Sequence, residues 1–303
     1  MEHRGPACHS HRFKVFRALI KTLRPKQWLK NVFVGVPIFF AQRLDDPDSL
    51  LRVAAGFLLF SLVSGCVYII NDIVDIEGDR AHPKKCRRPI PSGALPVQVA
   101  RNFAIAAVPL ALGLGFLLSP AYAAALGGYF CLNLAYCFKT KKIPYLDVIS
   151  IASGFVLRVI AGALVIDVEP SPWLLGCTGL LAMFLGFGKR AHELNTSANA
   201  VKQRDVLQHY SASALTWVLH TLALLTALVY ALYTQSDHVR SLFNDAPLIY
   251  TVPFPIIAIL RFIYLVTTRD DAESPTEEML RDKLFMGSIF LFVIVAGIVI
   301  YGP

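Results

Sequence analysis

Apolar runs of about twenty residues recur along this chain almost from end to end, and its charges gather in the short stretches between them. That feature leaves few folds open. About twenty apolar residues in a helix span the hydrocarbon core of a bilayer. A backbone inside lipid must satisfy its own hydrogen bonds, so an all-α, polytopic membrane protein is expected. Nine segments fit: Leu29–Gln42, Leu50–Ile70, Val97–Leu118, Ala121–Phe138, Tyr145–Ile166, Trp173–Gly188, Ala212–Thr234, Leu248–Thr267 and Leu284–Tyr301. Pro37 interrupts the first, which is short; its helix is expected to extend back through Arg24–Lys30, whose cationic side chains can snorkel to the interface. The composition, 55% hydrophobic and 17% charged, departs in the same direction from soluble domains, where about a quarter of residues are charged.

Lys and Arg bias sets the expected orientation. With the N-terminus inside, the inward stretches hold 23 of the 29 Lys and Arg residues, while the outward stretches hold Arg43, Arg52 and Arg240. The expectation is an inner (plasma) membrane protein with a cytoplasmic N-terminus and an outward C-terminus. A basic cytoplasmic segment, residues 1–22, would precede one transmembrane domain, residues 23–303. The basic start has no small-residue cleavage site ahead of an apolar core, so no removable signal peptide is expected. The net charge of +8 is accounted for by this topology and by anionic lipid headgroups rather than by nucleic acid. Six cysteines show no metal-ligand spacing, and most fall in apolar segments, where Cys behaves as a small hydrophobe.

Two inward stretches, Asp72–Pro96 and Lys189–Ser211, are long and charged, and they follow the second and sixth segments. Such a four-helix period hints at a duplicated bundle. The first stretch opens with Asn71-Asp72-Ile73-Val74-Asp75-Ile76-Glu77-Gly78-Asp79. On a helix continuing from segment two, Asp72, Asp75 and Asp79 stand at i, i+3 and i+7, and Asn71 borders their face. Three aligned like charges repel one another unless something positive sits among them. Carboxylates suit magnesium, which commonly bridges to substrate phosphates.

Arg80, His82, Lys84, Lys85, Arg87 and Arg88 follow at once. A metal–diphosphate site calls for this order, with the metal neutralising part of the phosphate charge and Lys and Arg the rest. Topology alone would explain the basic residues but not their coupling to the aspartates.

In segment five, Asp147 and Arg158 lie eleven residues apart on one helix face. A charge as deep as Arg158 either lines a site or forms a structural ion pair, with Asp147 or with a neighbouring helix. Gly188-Lys189-Arg190-Ala191-His192-Glu193-Leu194 ends segment six, where Lys189 and Glu193 have the spacing of a phosphate-pairing set and equally of a surface ion pair. Lys139, Lys141 and Lys142 read mainly as topology signal. Arg24-Pro25-Lys26-Gln27-Trp28 puts a basic, aromatic patch at headgroup level, for anchoring or for lipid phosphate.

These residues carry a resemblance. Asn71–Asp79 matches the N-D-x-x-D-x-x-x-D signature of the UbiA-type intramembrane prenyltransferases, a superfamily with nine transmembrane helices around a central cavity. The likeness covers nearly all of the chain after about residue 20. Leu23–Asn31, the run Asp79-Arg80-x-His82-Pro83-x-Lys85-x-x-Arg88-Pro89, Asp147–Arg158 and Gly188–Leu194 are similar more narrowly to the branch that transfers phosphoribose to decaprenyl-type phosphates. The resemblance implies magnesium-dependent transfer of 5-phosphoribose from 5-phosphoribosyl 1-diphosphate to a polyprenyl phosphate lipid, at the cytoplasmic face. It implies Asn71, Asp72, Asp75 and Asp79 around magnesium and the donor diphosphate. Lys85, Arg88, Arg158, Lys189, Arg190 and Glu193 would line the donor and acceptor phosphates, with Glu193 counted beside the aspartates as catalytic. Lys26, Lys30, Arg80, His82, Tyr136, Lys139 and Asp147 complete the candidate substrate contacts.

One departure from the superfamily pattern bears on the donor. Aromatic prenyltransferases carry a second aspartate-rich motif after helix six, where this chain offers Lys189, Arg190, Glu193 and a lone Asp205. That favours phosphoribosyl transfer over an aromatic prenyltransferase using a polyprenyl diphosphate. A non-enzymatic reading, a lipid or solute transporter, also stays open; against it, the polar groups gather at one membrane face and the outward loops are bare. Ser150, Ser153 and Gly154 permit close helix packing, inside the bundle or between the subunits of a homo-oligomer.

Overall fold

The computed structural model describes residues 7–196, 205–243, 245–268 and 275–302. The charges of Arg4, Lys202, Arg204 and Arg269, counted above, lie outside the described residues. No strand occurs among the described residues, and eight helices are long and apolar enough to cross a membrane. These are α3 (Pro47–Val74), α5 (Val97–Leu118), α6 (Pro120–Phe138), α7 (Leu146–Val165), α8 (Pro172–Thr196), α9 (Ala212–Gln235), α11 (Pro253–Thr268, preceded by a 3-10 turn from Leu248) and α13 (Lys283–Tyr301). Shorter helices are α1 (Ala7–Thr22), α2 (Val36–Phe40), α4 (Ile76–Ala81), α10 (Asp237–Leu242) and α12 (Pro275–Arg281).

Eight of the nine expected segments coincide with these long helices. The first takes another form: Pro25–Gly35 is a 3-10 stretch, and only Val36–Phe40 beyond it is α-helical. No α-helix runs back through Arg24–Lys30. Arg24 precedes a proline, which disfavours the right-handed helical region, and it adopts the left-handed one at φ 52°.

Helix ends follow local chemistry. Asp46 caps α3 by accepting from the backbone N–H groups of Asp48 and Ser49, with Pro47 at the first helical position, where its missing donor costs nothing. Ser119, followed by Pro120, starts α6 directly after α5 in the same way, accepting from the Tyr122 N–H. Ser211, Ser236 and Asp282 cap α9, α10 and α13.

The chain divides into two compact units. The first holds the described chain up to Lys139 together with Leu157–Glu169. Its core joins Val34 and Ile38 to Phe60 and Val63 of α3, Tyr122 and Leu126 of α6, and Ala161 and Val165 of α7. A second cluster packs Ala18 of α1 on Cys66, Ile69, Ile90, Leu95 and Ala104. The second unit holds Thr140–Val156 and the described chain from Pro170 onward. Val148, Phe184, Phe187, Leu215, Leu219, Phe262 and Phe285 form its core. Ser150 is buried there, its hydroxyl 3.0 Å from that of Thr140 and donating to the Leu146 carbonyl at 2.6 Å, so it packs internally.

Lipid tails are as apolar as the side chains, so helix association in a membrane depends on close packing. Gly162 in α7 shows how close. A Cβ there would meet the backbone of Val34, with its carbonyl carbon at 2.8 Å and its Cα at 3.0 Å. Backbone cannot swing aside like a flexible side chain, so Gly162→Ala must push the 3-10 stretch off α7. The expected cost is about 1–3 kcal/mol, measured as a lower unfolding midpoint of the detergent-solubilised protein. An unchanged midpoint would show that Val34 does not lie against α7 as described.

Candidate active site

The aspartate motif lies where α3 passes into α4. Asp75 is the joint: its φ of −95° and ψ of 11° end α3 and begin α4. The backbone keeps the helical direction across it, with Asp75 N–H donating to Asn71 at 2.9 Å and Asp79 N–H to Asp75 at 2.8 Å. The expected single continuous helix is therefore two helices in series. Asp72 and Asp79 are buried, whereas Asn71 and Asp75 are half-buried.

Basic side chains answer the two buried carboxylates. Arg24 Nη2 lies 2.6 Å from Asp72 Oδ1, and Arg88 Nη1 is 3.0 Å from the same oxygen and 2.5 Å from Asp79 Oδ2. Lys85 Nζ lies 3.7 Å from Asp79. The Arg24 guanidinium also sits over the Tyr68 ring, 4.7 Å from its centroid. The repulsion anticipated among the aspartates is thus relieved from within the chain by Arg24, Lys85 and Arg88. Of these, Arg24 was not among the expected substrate contacts and stood in the reading only as part of the Arg24–Trp28 basic patch. Lys26 and Lys30, which were expected, are exposed on the 3-10 stretch.

The rest of the basic loop serves several ends. Arg80 turns to Glu77 at 3.2 Å and to the Pro91 carbonyl at 3.4 Å. His82 Nδ1 accepts from the backbone N–H groups of Lys84 and Lys85 at 3.2 and 3.3 Å, pinning the turn that delivers Lys85. Burial, and then the Lys85 charge, hold its pKa below the usual histidine value. Tyr136 is half-buried in the last turn of α6, and exposed Lys139 ends that helix.

The ion pair that helical phase allowed between Asp147 and Arg158 does not form, because eleven residues place them about 16 Å apart along the helix, and each has its own partners. Arg158 is buried in the first unit. Its Nε donates to Asn31 Oδ1 at 2.8 Å and its Nη2 to Tyr129 OH at 3.0 Å, while the guanidinium lies 4.7 Å from the Tyr129 ring centroid and 5.3 Å from that of Phe60. Asn31 in turn donates to Ser61 at 3.0 Å and Ser64 at 3.1 Å. A charge here is tolerated because planar hydrogen-bond and π partners surround it. Nothing in the spacing of Asn31 or Tyr129 linked either to Arg158, because that contact is tertiary.

In the second unit, Asp147 is fully buried, with Arg190 Nε 2.9 Å from Oδ2 and Tyr210 OH donating to Oδ1 at 2.6 Å. Arg190 also pairs with Glu193, whose other oxygen lies 4.0 Å from Lys189 Nζ. Tyr210 accepts from the Tyr145 N–H at 2.6 Å. Desolvation, and then the bond to Asp147, raise the Tyr210 pKa far above the ordinary phenol value. The Lys189–Glu193 residues stand on the last turns of α8, which runs to Thr196, rather than in a loop; i, i+3 and i, i+4 ion pairs favour that extension. The side chain of Asp205 lies outside the described residues.

The aspartate set fits a magnesium ion by its chemistry. Its donors are hard oxygens, and Asp72 and Asp79, from successive helices, already converge on a single cationic atom of Arg88. Among the described residues no group of three or more His, Cys, Asp or Glu side chains is placed to hold a metal ion, so Asp72, Asp75 and Asp79 do not gather as a set of three. Magnesium needs no such set, because one or two carboxylates with substrate phosphates and water are its usual environment.

Eight helices long and apolar enough to cross a membrane, among the described residues, and a buried acid–base cluster at the junction of two helices define a multi-pass membrane protein with a polar site suited to phosphorylated substrates. The sequence profile of the UbiA prenyltransferase family matches residues 31–289, and the chain belongs to that family of membrane transferases. It is 36% identical to the decaprenyl-phosphate phosphoribosyltransferase of Corynebacterium glutamicum, covering 93% of this chain and 87% of that one. Identity to the decaprenyl-phosphate phosphoribosyltransferase of Mycolicibacterium smegmatis is 32%, covering 93% of this chain and 92% of the relative. The fold is similar to that of a UbiA homologue from Archaeoglobus fulgidus solved with DMAPP and Mg2+, with a TM-score of 0.70 at 19% identity, covering 94% of this chain and 99% of that one.

Proposed function

We propose that this protein transfers 5-phosphoribose from 5-phosphoribosyl 1-diphosphate to a polyprenyl phosphate of the decaprenyl type, releasing diphosphate. The 36% identity over 93% of the chain to a decaprenyl-phosphate phosphoribosyltransferase carries this reading. The chemistry of the residues agrees with it. An acceptor phosphate oxygen is already anionic, so its attack on the anomeric carbon needs no strong general base. The bond from that carbon to the diphosphate oxygen breaks as the new one forms. What the protein must supply is alignment and charge stabilisation of the leaving group.

In this reading Asn71, Asp72, Asp75 and Asp79 hold magnesium, which when bound neutralises part of the diphosphate charge. Lys85 and Arg88, already beside the aspartates, exchange carboxylate for phosphate partners as the donor binds. Arg158, Lys189 and Arg190 supply further guanidinium and ammonium groups for phosphate oxygens, and Glu193 holds Arg190 and Lys189 in place. Lys and Arg bias supports an inner-membrane location, a cytoplasmic N-terminus and a cytoplasmic site.

The test is direct. Radiolabelled phosphoribosyl diphosphate, incubated with the purified protein, polyprenyl phosphate and magnesium, should yield a labelled, acid-labile lipid, and chelation with EDTA should stop its formation. If the label never enters lipid while a polyprenyl diphosphate and 4-hydroxybenzoate give a prenylated aromatic, the aromatic prenyltransferase reading replaces this one.

A further inference from the structure

Helix α1 carries two apolar stripes, and the protein uses only one of them. Val15, Ala18, Leu19 and Thr22, at helical spacing, are buried or half-buried, with Ala18, Val15 and Leu19 in the cluster that includes Cys66 and Ile69 of α3. On the opposite side Phe13, Phe16 and Ile20, at i, i+3 and i+7, form a second stripe. They are 62%, 57% and 41% exposed. Lys14, Arg17 and Lys21, also at i, i+3 and i+7, make a continuous basic row beside it, and all three are exposed. The Arg17 guanidinium bends over the Phe13 ring, 5.9 Å from its centroid, so the two rows are contiguous. Later along the chain, Leu29 and Val32 are also exposed, at 61% and 52%, in the 3-10 stretch Pro25–Gly35.

We propose that α1 lies in the headgroup region of the membrane, with Phe13, Phe16 and Ile20 inserted at the acyl boundary and Lys14, Arg17 and Lys21 paired with anionic lipid phosphates. An apolar stripe flanked by a cationic row is the pattern of an interfacial helix, and each Lys or Arg near an anionic surface adds attraction. The basic row beside the apolar stripe complements anionic headgroups, and that charge complementarity names the occupant: the bilayer that the protein itself spans. The inference is independent of the donor and acceptor assigned above.

The experiment places a nitroxide at Phe16→Cys in the full-length protein with its native cysteines replaced, reconstituted in nanodiscs of phosphatidylcholine alone or mixed with phosphatidylglycerol. Collisional relaxation by oxygen, which enters lipid, is compared with that by a water-soluble nickel chelate. Oxygen should dominate at position 16 in the anionic nanodiscs. Combining Lys14→Glu, Arg17→Glu and Lys21→Glu should reverse that order. Dominance of the nickel chelate in both lipids would overturn the proposal, as would exclusion of both reagents together with spin–spin broadening, which would put a second copy of the chain on the stripe.

Discussion

Asp72→Asn lowers turnover by about a hundredfold to a thousandfold, the usual loss when one preorganised electrostatic group is removed from a polar transfer site. Asp72 is buried, and its Oδ1 takes Arg24 at 2.6 Å and Arg88 at 3.0 Å. The amide keeps the shape of the carboxylate but removes the charge that holds both guanidinium groups and, in the proposed reaction, helps to hold magnesium. Arg88 retains Asp79 at 2.5 Å, so the α3–α4 junction should stay folded. The measurement is rate against magnesium concentration, with a thermal unfolding curve of the same preparation. In the wild-type protein, magnesium with diphosphate should raise the unfolding midpoint, as any ligand of the native state does; in Asp72→Asn that rise should be lost. A variant with near-normal rate at ordinary magnesium would remove Asp72 from the site.

Asp147→Asn should destabilise the second unit by about 3 kcal/mol, the lower end of the cost of breaking a buried ion pair from one side. Asp147 is fully buried and faces Arg190, which is itself buried. Without the carboxylate, the guanidinium keeps Glu193, which is why the lower end applies. The amide oxygen can still accept from Tyr210, so the loss is specific to charge. Unfolding midpoints in detergent measure it, and Asp147→Leu combined with Arg190→Met should recover much of the stability, because a well-packed apolar pair avoids the desolvation of two charges. A loss in the single variant too small to measure would mean that the Asp147–Arg190 pair contributes little net free energy.

The extent to which these sites were legible in the sequence differs between them. The spacing of Asp72, Asp75 and Asp79 marked the acidic cluster, and the basic run after it supplied Lys85 and Arg88 as partners, because those groups are neighbours along the chain. Arg24 could not be read as their third partner, because 48 residues separate it from Asp72. Asp147 and Arg158 offered an ion pair by helical phase, but phase gives the face and not what lies opposite it. Arg158 found Asn31 and Tyr129, 127 and 29 residues away, and Asp147 found Tyr210, 63 residues away.

What the sequence determined by itself was the class of structure and the places where charge collects. Lipid offers no hydrogen bonds, so every apolar run of spanning length had to become a helix, and α5 follows Val97–Leu118 as read. Proline and the capping residues then set several of the ends. The tertiary structure decided the form of Pro25–Phe40, the joint at Asp75 and the pairing of each buried charge. The reason lies in the range of the forces. Helix formation and transfer into lipid are written in adjacent residues, whereas a buried guanidinium is stable only beside whichever carboxylate, amide or ring the packing of distant helices delivers to it, as Gly162 does in letting the stretch that carries Asn31 close against α7.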